Sequence, residues 1–555
     1  VNKLRVGLIV DEGSQPYLNH HLLQSSLSSQ KFEIVCIIVQ QVQSYSRQRL
    51  VRRVYRKILQ LGFWSAVSRY TFAIIEYLET LVVRRNPNMK PVLEKYQLNT
   101  FSVEQINIKP VASKSGFVLN YRDQDIDAIK KLKLDVLVRG GSGILKGEVL
   151  QICKYGIISF HHGDNNLFRG GPPGFWEVFR QVPSTGFIIQ RLTNERDGGD
   201  VLLEGCIPTA RLYRENMCRV YLKSAVFMTQ ILEHLAEEKN PIKILPKRPY
   251  AYPIYSIPTL RIQGLYLIKV VQLIFRALRR RLTNECYRWG IAYLFTEDWQ
   301  GAVLRKVKVI ENPPFRFLAD PFLVTRENLT YLFCEDYDFR KSKGSISVYK
   351  IDKIGYQYLG IALEENFHLS YPFIFQVDNS IFMIPESHEA GQIRLYECVD
   401  FPLKWCLRRV LMDNVFAVDS SIFQYEDKWW LLTNLDSSNM NEFSSELHLF
   451  YSDSFDSSEW KAHSLNPVLL NSNSARNGGL MVSKDEVLRV FQRQDFGFYG
   501  RSIGISKIVE VSATTYREQH ICDIGPHFFP KLQGTHHLSY VSGVLALDFV
   551  RSEKM

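Results

Sequence analysis

Five times in the C-terminal half of the chain the same short unit returns: a strand, a polar turn, and a second strand ending on a polar residue. The copies are Asp320–Tyr337, Tyr371–Ser387, Asp419–Asn434, Asn477–Gln494 and His536–Val550. Their starts lie roughly 50–60 residues apart, and such a period with several strands per repeat belongs to propeller blades. A unit of this size cannot bury its apolar face alone, so neighbours must stack. The spacing therefore predicts an all-β five-bladed propeller over residues 301–555. The 34 Phe and 28 Tyr agree, because flat rings pack well on pleated surfaces.

The first 215 residues follow another plan. Arg5–Val10 and Phe32–Gln40 are apolar strand runs, Ile126–Leu132 reads as a helix leading into the strand Asp135–Arg139, and Gly156–His161 is a further strand. Strands alternating with helices imply a parallel sheet covered on both faces, an α/β Rossmann-like domain. Its expected bounds are 1–215, with a helical insertion at about 43–95 and a helical, basic linker over 216–300. Ligands of such sheets collect beyond the carboxyl ends of the strands. Gly140–Gly143 and His161 fall there.

Hydrophobic residues at 46% and charged residues at 23% exclude disordered and fibrous classes. Nine cysteines, an odd number without a CxxC pair, argue against disulfides or a cysteine zinc site and for a reducing compartment. No metal is expected. The first residues show no basic-then-apolar leader, so the expected location is cytoplasmic. The net charge of +11 suits an anionic partner without naming it. Two segments are more specific. Arg47–Lys57 carries six basic residues and runs into an apolar-aromatic stretch ending at Val83; Gly264–Leu282 has apolar residues at helical spacing and ends in Arg279-Arg280-Arg281. Either these are in-plane helices on an anionic leaflet, at the inner face of a membrane, or they are packing helices with solvated basic ends.

Chemistry concentrates in Ser159-Phe160-His161-His162-Gly163, then Arg169-Gly170-Gly171-Pro172-Pro173, Gly186, and Arg191–Val201. His161 at a strand's carboxyl end points an imidazole into the crevice. Asp197, in the turn Asp197-Gly198-Gly199-Asp200, could approach it, raising its basicity and fixing its orientation. That pair could take a proton from an attacking amine, and the Ser159 hydroxyl could donate to an oxyanion. The alternative is a polar strand end and an ordinary glycine turn.

The span from Asp135 to Val201 resembles the formyltransferase family: methionyl-tRNA, glycinamide ribonucleotide and sugar N-formyltransferases. His161 matches the family histidine, since Arg169-Gly170 follow eight and nine residues later; Asp197–Asp200 matches the downstream loop, and Gly186 the glycine before the next strand. The resemblance implies 10-formyltetrahydrofolate as donor and formyl transfer to an amine, with proton removal by His161 and support from Asp197. It also implies a donor pterin lying against Ser142, Gly143, Ile144 and Leu145 and the loop of Asp197, Gly198, Gly199 and Asp200. Two departures stand out: Ser159 replaces the family asparagine, and Gly163-Asp164-Asn165-Asn166 replaces Ser-Leu-Leu-Pro. Loss of one oxyanion donor costs about 3 kcal/mol in the transition state.

The repeat region resembles the five-bladed family that includes furanosidase-type glycoside hydrolases. In Phe317–Phe322, Tyr371-Pro372, Pro385-Glu386 and Tyr499-Gly500 it resembles the N-terminal region of glucosamine inositolphosphorylceramide transferases. Asp320, Asp419 and His536 open strands, while Glu335, Glu386 and Asn434 close the following ones, so all would converge on the propeller axis. Glycoside hydrolysis needs two carboxyl groups across one bond, and the resemblance implies Asp320 as base and Asp419 as modulator. Where the hydrolases carry the acid, this chain has Asn477 and Gln492-Arg493-Gln494; Glu386 sits on the second blade. Arg476, Arg493 and Arg501 could grip a phosphate.

The resulting expectation is a two-module enzyme of surface-glycan biosynthesis, formylating an amino sugar or sugar nucleotide while the propeller binds the glycan. One alternative is a carbohydrate-active propeller with a non-catalytic formyltransferase-like module. Another is an adaptor on glycan or lipid surfaces. Nucleic acid is not expected as a partner, because transfer-RNA formylation in the family uses a further tRNA-binding module where this chain has a propeller.

Overall fold

The structure is a computed structural model that describes residues 3–41, 62–113, 118–194, 199–237, 244–483 and 485–554. It divides into two compact units, Val1–Gln272 with Ser437–Met440, and Leu273–Asp436 with Asn441–Met555.

The first unit is built on a seven-stranded sheet in the order Asp200–Pro208, Ser184–Arg191, Ile157–His162, Val136–Arg139, Leu4–Asp11, Phe32–Gln40, Glu104–Ile108. The last five are parallel, and the first two are antiparallel additions at one edge. Val136–Arg139 is buried throughout because both faces are covered. Helices Tyr17–Ser28 and Tyr213–Glu237 pack on one face. On the other, Ile126, Ile129, Val149 and Leu150 meet Ile9, Ile38, Leu137 and Ile157. Asp11, Gln40, Arg139 and His162 end neighbouring parallel strands, so they gather at the carboxyl edge where this kind of sheet binds ligands.

The region read from the sequence as a linker is core at both ends. Helix Tyr213–Glu237 buries Val220, Phe227, Met228 and Leu232 against the first sheet. Strand Glu285–Phe295 pairs along its whole length with Val544–Lys554. The insertion expected at about 43–95 contains helix Phe63–Val83 and the short turn Lys90–Leu93. The basic run Arg47–Lys57 lies outside the described residues.

The second unit is β-rich, with five antiparallel sheets. Four are consecutive in sequence and begin with Arg316–Arg326, Ser370–Val377, Val418–Tyr425 and Asn477–Val482. The fifth joins Leu538–Val541 and Val544–Lys554 to Glu285–Phe295 and Lys308–Ile310, which ties the two ends of the unit together. Each copy of the sequence repeat supplies two paired strands of one sheet. The leading strand of each sheet touches that of the next, and Leu538–Val541 touches Arg316–Arg326.

The first four leading strands share one irregularity. Their pairing slips between Ala319 and Phe322, Ser370 and Phe373, Val418 and Ser421, and Asn477 and Gly479. At these bulges φ is 49° at Asp320, 42° at Tyr371, 51° at Asp419 and 132° at Gly479. A left-handed backbone costs a non-glycine residue about 1–2 kcal/mol, so three at equivalent places indicate positions held for a purpose.

Candidate functional site

In the first unit, strand alternation sorts the adjacent histidines. Ser159 and His161 share one face of the sheet and His162 takes the other. His162 Nε2 lies 2.9 Å from the Ser224 hydroxyl on helix Tyr213–Glu237, and burial pushes its pKa down to about 3. His162 is therefore a neutral packing residue. His161 is half-buried, in register with Ile188. Gly186, at the start of the neighbouring strand, has no room for a side chain: an added Cβ would meet Asp164 Cα at 2.8 Å.

The Ser159 hydroxyl donates to the Phe160 carbonyl at 3.1 Å. The Ser142 N–H donates to Asp11 Oδ2 at 2.9 Å, and the Ser142 and Gly143 carbonyls accept from the Arg139 guanidinium. These bonds fix the turn Gly140–Gly143 at the end of strand Val136–Arg139. Leu145 belongs to the apolar core with Val149 and Ile157, while Ile144 is half-buried. Gly199 is described and Asp200 pairs with Arg191 at 2.8 Å and Lys247 at 3.7 Å. Asp197 and Gly198, and with them the expected meeting of Asp197 with His161, lie outside the described residues.

Arg139 has no motif to announce it in the sequence. It is 7% exposed and in register with Ser159 on the next strand, and burial lowers its pKa. Among the described residues its Nη1 has no hydrogen-bond partner. An unsatisfied buried donor costs about 1–3 kcal/mol, so this one is poised for an acceptor. Its only trace in the sequence is a cation closing the apolar run Val136–Val138. A cavity of about 570 Å³ lies in the same unit, lined in part by Leu150, Cys153, Lys154, Gly156, Arg191 and Lys247. Gly156 precedes strand Ile157–His162 and Arg191 pairs with Ile158, so the cavity lies at the end of that strand opposite His161, and Asp200 pairs with two of its cations, Arg191 and Lys247.

In the second unit the bulges bring together a dense buried group. Asp419 Oδ2 accepts from Arg476 Nε at 2.7 Å and Gln492 Nε2 at 3.3 Å, and Asn477 Nδ2 donates to the Asp419 carbonyl at 2.8 Å. His536 Nδ1 lies 2.5 Å from Asp548 Oδ2 and its Nε2 3.7 Å from Asp320 Oδ1. Trp289 stacks on His536 at 3.9 Å, and the Tyr499 ring packs edge-on to His536 and faces Arg476 at 5.0 Å.

Charges in this low-dielectric space move one another's pKa. Burial pushes Asp320 up to about 7, opposed by the neighbouring His536. Glu386 is held well above the usual carboxylate range by burial and by Asp419; Glu335 is raised likewise, by burial and by Asp320. Burial draws His536 down, but Asp548 and Asp320 more than restore it, and His536 in return holds Asp548 low against its burial. Carboxyls kept neutral beside a carboxylate paired with arginine are the division of labour that acid–base chemistry uses.

Asp320, His536 and Asp548 also offer three ligand atoms within 4.8 Å of one another, a possible metal set that the sequence expectation missed. Both ring nitrogens of His536 already face carboxylates and its pKa is raised, so a proton supplies the positive charge that a cation would. Arg493 stands apart from this group. Alternation turns Gln492 and Gln494 inward and leaves Arg493 against the exposed Asp523 at 2.9 Å, so it is not a channel residue. Arg501 likewise bonds the Gln533 carbonyl.

The raised pKa of Asp320 has a testable consequence. An acid that holds its proton more tightly folded than unfolded contributes stability at low pH that is lost as pH rises from about 4 to about 7; His536, raised above the usual imidazole range by Asp548 and Asp320, also loses its contribution as pH rises beyond that range. Denaturant melts should show the native protein losing on the order of 3 kcal/mol more than Asp320→Asn across this interval. Parallel curves would contradict the assignment.

Residues 303–524 match the family model for glucosamine inositolphosphorylceramide transferase 1, N-terminal. The Arabidopsis thaliana protein of that name is 40% identical over 214 residues, covering 38% of this chain and 28% of the relative. Methionyl-tRNA formyltransferase of Ehrlichia ruminantium (strain Gardel) is 36% identical over 84 residues, covering 15% of this chain and 28% of the relative. The solved catalytic domain of Coprinopsis cinerea GH62 α-L-arabinofuranosidase aligns with 48% of this chain and 97% of its own, at 11% identity and a TM-score of 0.34. The chain thus spans 28% of the length of these curated relatives. It joins a formyltransferase-like α/β segment to a β-rich segment similar to the N-terminal part of glucosamine inositolphosphorylceramide transferases.

Proposed function

We propose that the first unit transfers a formyl group from 10-formyltetrahydrofolate to the amine of a sugar or sugar nucleotide, and that the second is a five-bladed propeller that binds the glycan acceptor. The observation that carries the reading is the pairing of His161, spaced as the family histidine is, with a buried Arg139 whose Nη1 still seeks an acceptor, both at the carboxyl edge of one sheet. The donor, when bound, supplies the electrophilic formyl carbon. His161 accepts the proton of the attacking amine and returns it to the leaving nitrogen. Arg139 donates Nη1–H to the formyl oxygen as charge grows there, replacing the amide lost at Ser159. Asp197 remains the proposed partner of His161. The propeller is supported by the leading strands that touch in succession with the fifth meeting the first. Asp320, Glu386, Asp419, Arg476 and His536 then face one channel, with Trp289 and Tyr499 beside them for a sugar ring.

With donor at one hundred times its Kd, the unfolding free energy should rise by about 2.7 kcal/mol. Mass spectrometry on a panel of amino-sugar nucleotides should detect one added formyl group. No stabilisation and no formylated product would sink the reading. A second reading has one observation in its favour, Glu386 with its pKa raised by burial and by Asp419: a carbohydrate-active propeller with a non-catalytic α/β unit. It replaces the first if Asp320→Asn, and not His161→Ala, abolishes turnover.

A further inference from the structure

Helix Phe63–Val83 has two apolar faces. One buries Ala66, Phe72, Ile75 and Val83 together with polar contacts: Glu79 accepts from the Tyr266 hydroxyl and, at 2.8 Å, from the Arg214 N–H. Glu76 accepts from the Tyr213 hydroxyl at 3.0 Å, and Thr71 donates to Gln263 at 2.6 Å. The second apolar face points outward, with Ile74, Tyr77 and Leu78 55–64% exposed and Leu81 next in the same stripe. Helix Leu260–Thr283 carries an exposed apolar stripe of the same kind. Its buried residues are Gln263 and Tyr266, whereas Val271, Ile274 and Phe275 are 56–66% exposed, with Leu278 after them. Both stripes run i, i+3, i+4, i+7, the spacing that normally faces a core.

The charge pattern names the partner. Leu260–Thr283 carries six basic residues and no acidic one; Lys269, Arg279 and Arg280 bond to Phe179, Glu285 and Tyr287, while Arg261, Arg276 and Arg281 are exposed. The two acids of Phe63–Val83 are turned inward and paired, and Arg84 and Arg85 follow that helix, both exposed. A second copy would bring the same cations against these and be repelled. An anionic bilayer satisfies the stripe and the cations together. No helix among the described residues is long and apolar enough to cross a membrane, so the contact is in-plane.

We infer that these two helices seat the protein on an anionic lipid surface. The full chain should co-sediment with phosphatidylcholine vesicles containing phosphatidylglycerol, and at least about tenfold more weakly with phosphatidylcholine alone or in high salt. Ile74→Glu, Tyr77→Glu, Ile274→Glu and Phe275→Glu together should remove binding while the melting temperature is kept. Arg276→Gln with Arg281→Gln should remove the preference for the anionic lipid. Wild-type protein that stays in the supernatant with anionic vesicles overturns the inference. So does a dimer that the four glutamates convert to monomer without any vesicle binding.

Discussion

His161→Ala should lower the rate of the proposed formyl transfer by about 10²–10⁴-fold, the span of a lost general base, and leave the melting temperature close to wild type. The two effects separate because His161 is half-buried at the carboxyl edge of the sheet, on the face opposite His162. His162→Ala is the matched control. That ring is buried against Ser224 and Tyr221, so its loss should cost about 1–3 kcal/mol of stability and spare the rate per folded molecule. Single-turnover kinetics beside denaturant melts would distinguish them. If both variants behave alike, the opposite facing of the two rings does not govern their roles.

Arg476→Leu should destabilise the second unit by about 3–5 kcal/mol, because it strands a buried carboxylate without its partner. Asp419 would keep the 3.3 Å bond from Gln492 but lie among Asp320 and Glu386 with no cation of its own. Adding Asp419→Asn should recover most of the loss, since the charge that suffers is then gone. Urea denaturation of the two single variants and the double variant measures the coupling. A loss under about 1 kcal/mol for Arg476→Leu would mean that the pair is solvated and weak.

Much of the fold was legible because its signals are local. The five strand–turn–strand repeats each became two paired strands of one sheet, and the apolar runs of the first 215 residues became its parallel strands. The stretch 216–300 was misjudged because its basic residues masked the buried stripe of Tyr213–Glu237 and the strand Glu285–Phe295. Of the buried group in the second unit, Asp320, Asp419, Arg476 and His536 were readable from motif or position. Arg139 and Asp548 were not: each is one charge beside an apolar run, a pattern that ordinary strand ends and surface positions also produce.

Period and alternation are therefore what the sequence by itself determined, two architectures in order and a histidine at a strand's carboxyl end, since burial of apolar faces acts over a few residues at a time. Only the tertiary structure decided which charges share a dry space. Asp320 meets Asp548 across 228 positions of chain, and His161 parts from its own neighbour because successive side chains leave a strand in opposite directions. Coulomb interaction and desolvation depend on distance through space, which no spacing along the chain encodes.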